Sequence, residues 1–183
     1  MKANALSIPE VLLLVPKVHA DERGFFLESF NHDVFAEITG LSPVFLQDNH
    51  SRSREGVLRG LHYQVGQPQG KLVSVVWGAV FTVAVDLRRS SATFAKWVSA
   101  ELSESNHHQL WIPPGFAHGF MALSASADVQ YKATDYYAPR YERCISWNDP
   151  TLAIDWPLRG RQPILSARDL AGNSLAHAEV FIG

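Results

Sequence analysis

The stretch Arg59-Gly60-Leu61-His62-Tyr63-Gln64 holds one imidazole between a guanidinium and a phenol ring. Seating a histidine among apolar neighbours costs free energy unless both ring nitrogens find partners. His62 is therefore either a packed structural residue or a group that moves protons. Three other side chains would complete a proton-transfer set: Lys71 at the head of an apolar run, Tyr131 in Val-Gln-Tyr-Lys and Asp169 in Leu-Ser-Ala-Arg-Asp. Their shared chemistry would be enolisation, the removal of a proton from a carbon next to a carbonyl. Imidazole titrates near neutrality and takes the proton. A carboxylate on its second nitrogen fixes the tautomer and stabilises the imidazolium. An ammonium stabilises the enolate, and a phenol returns a proton from the opposite face. Plainer readings stand beside these: a core aromatic for Tyr131, a solvated strand end for Lys71. Spacing along the chain does not choose between them.

A second motif, "IPPGFAHGF" at 112–120, contains Pro-x-Gly-x-x-His. Two prolines stiffen the approach, Gly115 permits a tight turn, and His118 opens a new strand. The alternative is a plain β-turn with a histidine at a strand edge. The pattern resembles the second motif of the cupin, or jelly-roll, superfamily. Many cupins hold a metal through a His-x-His pair, a Glu and this last His. Here Tyr63 and Gln64 follow His62, so that pair is missing. His107 and His108 are adjacent and would point to opposite faces of a strand. A metal site needs several convergent ligands, so no metal is expected.

These groups have to be positioned by strands. Glycines and prolines are spread through the chain, as for short strands joined by turns. The run 71–88, "KLVSVVWGAVFTVAVDLR", alternates with period two on both sides of Gly78 and reads as a hairpin. Further strands are expected in "ALSIPEVLLLV", "RGFFLESF", "HQLWIP", "HGFMALS" and "ADVQYKAT". Helical signals are few: "HDVFAEITG" with Gly40 as C-cap, and one short turn in "NDPTLAIDW". The expected fold is all-β, an antiparallel sandwich or barrel of the cupin/jelly-roll kind with a few short helices. The 183 residues fit one domain spanning 1–183, and 46% apolar against 19% charged residues supports a true core. A net charge of -2 without a basic run gives no reason to expect nucleic acid. The run "VLLLV", bracketed by Pro9 and Pro16, is too short to span a membrane or act as a signal peptide. One cysteine, Cys144, excludes an internal disulfide, and a cytoplasmic setting is expected.

Taken together, "RGFFLESF", "QDNHSRSREGVLRGLHYQ", "QGKLVSVVWGAVFTVAVDLRRSSATFAKW", "IPPGFAHGFMAL", "YKATDYYAP" and "WNDPTLAIDWP" resemble the dTDP-4-dehydrorhamnose 3,5-epimerase family. The resemblance runs from about residue 2 to Asp169, with motif order and spacing matched. It implies a cofactor-free epimerisation at C3 and C5 of a dTDP-4-keto-6-deoxyhexose, on the way to dTDP-L-rhamnose. It also implies roles: His62 as base, Asp169 as its dyad partner, Tyr131 as acid on the opposite face, Lys71 as the enolate-side cation and His118 as a sugar contact. Arg23 and Arg59 match the phosphate-binding arginines, a task to which paired guanidinium donors are suited. Gln47, Asp48, Asn49 and Glu28 match contacts to the nucleoside and its surroundings. Phe26 and Tyr137 would give stacking surface, and Glu142 and Arg168 further ligand contacts. Position 168 is often lysine in the family; arginine keeps the charge and changes the geometry. A homodimer with exchanged N-terminal strands is implied as well, in which Arg23 and Glu28 serve the neighbouring site. The competing functions are an epimerase of one centre only, a cupin sugar-nucleotide 3,4-ketoisomerase, a metal-dependent dioxygenase, and a jelly-roll that merely binds.

Overall fold

The structure, a computed structural model, describes residues 1–182. Its larger sheet contains β1 (Lys2–Ala5), β2 (Leu12–Val15), β10 (Gln109–Ile112), β7 (Lys71–Trp77), β12 (Ser126–Ala133) and β5 (Gln47–Arg54), in that order. The second contains β13 (Glu142–Cys144), β6 (Leu58–Gln64), β11 (Phe116–Ala122), β8 (Ala79–Asp86) and β9 (Trp97–Ser103). Neighbours within both sheets run antiparallel. A separate hairpin, β3 (Val18–Asp21) with β4 (Gly24–Leu27), joins neither sheet. The helices are α1 (His32–Thr39) and α2 (Ala167–Leu170). No helix among the described residues is long and apolar enough to cross a membrane.

The sheets face each other across a core in which Val73, Val75, Leu110 and Val129 of one meet Val80, Ala84, Leu102 and Phe120 of the other. Each buried Val, Leu or Phe among them contributes about 1.5–3 kcal/mol of transfer free energy. The outer face of the second sheet is covered too. There Leu61, Tyr63, Val83 and Val85 pack against Trp156 and Leu175 of the C-terminal segment. Helix α1 covers part of the first sheet through Phe35, which packs with Leu14, Leu72 and Trp111. This helix is capped as its sequence suggests. The Asn31 side chain accepts from the N–H groups of Asp33 and Val34, and Gly40 closes it at φ +70°.

Three expectations are corrected. Residues 71–88 do form two strands, but not a hairpin. β7 pairs with β10 and β12, whereas β8 pairs with β11 and β9 in the opposite sheet. Gly78, at φ +73°, turns the chain through a corner between the sheets, and a Cβ there would strike the Ser126 carbonyl oxygen. Period-two alternation reports that a segment is a strand; it does not report its partner. The N-terminal stretch, read as one strand, is divided into β1 and β2 by a turn around Ile8. His107 and His108 lie in a loop before β10, with His107 at φ +54°, so strand alternation does not govern them.

Candidate active site

Strand alternation selects which side chains enter the space between the sheets. On β6, Leu58, Leu61 and Tyr63 turn outward into the covered face, and Arg59, His62 and Gln64 turn inward, with alternation interrupted at Gly60. On β5 the exposure alternates residue by residue: Gln47, Asn49 and Ser51 face inward, Asp48, His50 and Arg52 face solvent. β12 contributes Tyr131 and β7 contributes Lys71. The result is a cavity of about 680 Å³. His62, Arg59, His118 and Glu142 line it from the second sheet, and Gln47, Asn49, Lys71 and Tyr131 from the first. Tyr137 and Arg168 close its mouth, and Asp169 lies buried beside His62. The imidazole of His62 and the phenol of Tyr131 thus stand on opposite walls of one cavity.

Asp169 is delivered by α2, a helix that the strand and turn signals of the sequence do not predict. Ser166 caps this helix in a reciprocal box: its Oγ accepts from the Asp169 N–H at 3.2 Å, its own N–H donates to Asp169 Oδ2 at 3.2 Å, and its Oγ–H donates to the same oxygen at 2.6 Å. The Gly60 N–H donates to Asp169 Oδ1 at 3.0 Å, and His62 Nε2 stands 2.8 Å from that same oxygen. The His62 approach lies off the line of a ring N–H, so the contact is close but poorly directed. Nε2 being committed to Asp169, Nδ1 is the nitrogen free to take a proton. Burial alone would raise the Asp169 carboxyl, but its contacts with His62, Ser166 and Gly60 outweigh burial and hold it well below the usual carboxylate range.

His118 faces His62 across the β11–β6 pairing, and its Nε2 lies 2.9 Å from Thr82 Oγ1. Burial, together with the charges of Lys71 and His62, pushes its pKa well below the ordinary value, so it is a neutral imidazole. Burial lowers the Lys71 ammonium to about 8, with Glu142 pulling the other way. Burial and Glu142 raise Tyr131 while Arg59 opposes them, so the phenol keeps its proton at neutral pH. β6 and β11 come unusually close beside these groups: a Cβ on Gly60 would sit 2.5 Å from the Gly119 Cα. The register shift between His118 and Phe120 follows at that point.

The mouth is a connected network. Arg168 pairs with Glu142 at 2.6 Å, and Tyr137 Oη donates to Glu142 at 2.8 Å. Gln64 is buried and anchors this loop, although its residue type does not mark it as a candidate in the sequence. It accepts from the Ala138 N–H at 2.8 Å and donates to the carbonyls of Gln67 and Tyr136. Two further features go unread in the sequence. The Ser-x-x-Asp spacing at 166–169 is a capping-box signature that could have located α2. Cys144 has no signal, since only the β13–β6 register sets it opposite His62.

Four of the expected site residues lie elsewhere in the chain's own fold. Asp48 is on the outer face of β5, paired with Lys132 at 3.0 Å; grouping it with Gln47 and Asn49 ignores that neighbours on a strand point oppositely. Arg23, Phe26 and Glu28 belong to the β3–β4 hairpin and its exit. Arg23 pairs with Asp21 at 2.6 Å, and Glu28 accepts from Asn31. Phe26 is 72% exposed and borders a different concavity, of about 830 Å³, between the hairpin and the outer face of the first sheet.

Known proteins are similar to this chain in sequence and fold. The family model described as dTDP-4-dehydrorhamnose 3,5-epimerase matches residues 5–177. A dTDP-4-dehydrorhamnose 3,5-epimerase of Pseudomonas aeruginosa is 57% identical over 181 residues, covering 99% of each chain. A solved structure from Legionella pneumophila, a dTDP-6-deoxy-D-glucose-3,5-epimerase in complex with dTDP-4-keto-L-rhamnose, superimposes with a TM-score of 0.96 at 51% identity, over 100% of this chain and 98% of that one. A 3'-monoepimerase from Streptomyces bikiniensis, solved with dTDP-quinovose, gives a TM-score of 0.88 at 32% identity, over 96% of this chain and 88% of that one.

Proposed function

The chain belongs to the dTDP-4-dehydrorhamnose 3,5-epimerase family, and on that premise we propose that it converts dTDP-4-dehydro-6-deoxy-D-glucose to dTDP-4-dehydro-L-rhamnose through an enolate formed in the cavity between its sheets. The observation that carries the reading is the His62–Asp169 contact of 2.8 Å on one wall with Tyr131 on the other. C3 and C5 both flank the C4 ketone, so one carbonyl acidifies both C–H bonds. His62 Nδ1 takes the proton, and Asp169 holds the ring and offsets the imidazolium charge. The Lys71 ammonium faces the developing enolate oxygen. Neutral His118, fixed by Thr82, offers a sugar contact without adding a second positive charge. Tyr131 then protonates carbon from the opposite face, which inverts it. Arg59 and Arg168, at the mouth, suit the diphosphate.

An enzyme acting at one carbon only is the second reading. The higher identity to double epimerases, 57% and 51% against 32% for the monoepimerase, favours two centres. Proton NMR of the 4-keto-6-deoxyglucose nucleotide in deuterated water, with a reductase added to trap product, decides it. Deuterium at C3 and C5 with both inverted supports the reading; label or inversion at a single carbon overturns it.

Lys71 gives the reaction a pH limit. Its ammonium is present below about 8 and lost above, so kcat/KM is expected to fall as pH rises through that value. In Lys71→Arg the guanidinium stays charged, and the falling limb should move to higher pH. An unmoved limb would assign it to another group.

The chain is further proposed to act as a homodimer in which each β3–β4 hairpin reaches its partner's cavity, in a cytoplasmic setting. The hairpin's detachment from both sheets and its exposed Phe25 and Phe26 support this. Arg23→Ala and His62→Asn homodimers should each be nearly inactive. When the two are unfolded together and refolded, mixed dimers should regain activity, because one cavity then combines an intact His62 with the other chain's intact Arg23. No recovery would mean that each hairpin serves its own chain.

A further inference from the structure

We propose that the catalytic pair doubles as an inhibitory zinc site, with Cys144 supplying the third protein ligand beside His62 and Asp169. One donor atom from each of the three lies within 4.8 Å of the others, and they are the only such group among the described residues. Register explains it. Cys144 stands directly opposite His62 in the β13–β6 pair, so both side chains leave the same face. Asp169 reaches them from α2.

The donor set is selective. A nitrogen, a sulfur and one carboxylate oxygen suit Zn²⁺, whereas Mg²⁺ and Ca²⁺ require mostly oxygen. His62 Nε2 is buried and makes no linear hydrogen bond within the protein, so its proton can pass through solvent to Nδ1, and the Nε2 lone pair so uncovered can take a metal. Ligand atoms around tetrahedral zinc stand about 3.5 Å apart, so closing the group needs displacements of about 1 Å. On coordination the Cys144 S–H bond breaks, its proton goes to solvent and an S–Zn bond forms. Thiolate and carboxylate together would neutralise the metal's charge. Zinc held there would occupy the base's partner and stop proton transfer. Only this inhibitory consequence rests on the assignment of His62 as base; the binding itself does not.

Tag-free protein kept reduced with a phosphine, titrated with Zn²⁺ alone, is expected to bind one ion per chain and to lose epimerase activity, which a chelator restores. Cys144→Ala, compared with its own metal-free rate, should tolerate at least about tenfold more Zn²⁺, since a lost ligand costs no less than a lost supporting contact. Co²⁺ as probe should give a thiolate charge-transfer band in the near ultraviolet with the parent protein and none with Cys144→Ala. His62→Asn, which keeps the thiol, should weaken cobalt binding and provides a second variant should the first fail to fold. Equal zinc sensitivity of parent and Cys144→Ala overturns the proposal, as does bound cobalt without the band. The epimerase assay itself is run with chelator present, so failure of the zinc site leaves that reading intact.

Discussion

His62→Asn is expected to lose deuterium incorporation at C3 and at C5 together, with kcat reduced ~10²–10⁴-fold, the usual contribution of a positioned general base. The coupling of the two carbons is the informative part. A single imidazole serves both because both hydrogens are acidified by the one C4 ketone. Asn is the chosen replacement since its amide can still donate toward Asp169, which otherwise keeps the Gly60 and Ser166 donors it already has. The buried carboxylate is therefore not orphaned, and thermal stability should change little. An alanine would open a void beside Asp169 and mix a stability loss with a catalytic one. The measurement is proton NMR in deuterated water at equal enzyme concentration. Exchange that survives at one carbon would mean a second base, and the candidate would be sought among the groups facing that carbon. Exchange that survives at both would remove His62 from the mechanism.

How far the sequence carries the reader depends on which interaction sets each feature. Gly40 and the run before it mark α1 because capping is local, and the structure closes that helix on Gly40 at φ +70°. Strands at 109–112, 116–122 and 126–133 follow from short apolar runs between turn residues, and these too are local. The hairpin at 71–88 fails because pairing is not local. Alternation on either side of Gly78 is equally consistent with a corner between two sheets, and burial on both faces of β8 hides the difference. β5, polar throughout, is absent from the strands expected of the sequence, and Gln47, Asn49 and Ser51 share a face only in the fold. A strand polar on its inner face marks a cavity, and hydropathy alone does not distinguish that from a turn. The meeting of His62 with Asp169 spans more than half the chain and is legible only through resemblance to a family. Resemblance in turn says nothing of Cys144, whose position is a matter of register. The hairpin residues Arg23, Phe26 and Glu28 stand outside the cavity of their own chain, and no reading of one chain's geometry brings them in.

Tyr131→Phe separates the two halves of epimerisation. The substitution removes one oxygen and leaves the ring, which packs against the core of Val73, Val129 and their neighbours, so the fold is expected to be retained. Proton abstraction by His62 does not need the phenol. The variant should therefore continue to exchange C3–H and C5–H with solvent, returning deuterium to the face it came from. Inversion requires a donor on the far wall, and Tyr131 is the protonated group placed there: burial and Glu142 raise its pKa, so it holds its proton when the enolate forms. Without it, inversion should fall ~10²–10⁴-fold, the range for a lost general acid, while exchange falls far less. Recovered sugar should then carry deuterium and keep its starting configuration. The same NMR experiment reads both quantities, label from the lost proton signals and configuration from the ring couplings. Inversion at both centres at the parent rate would remove Tyr131 from its role. Equal loss of exchange and inversion would show that the phenol is needed before the enolate forms, as an orienting contact to the sugar, and not as the acid that completes the reaction.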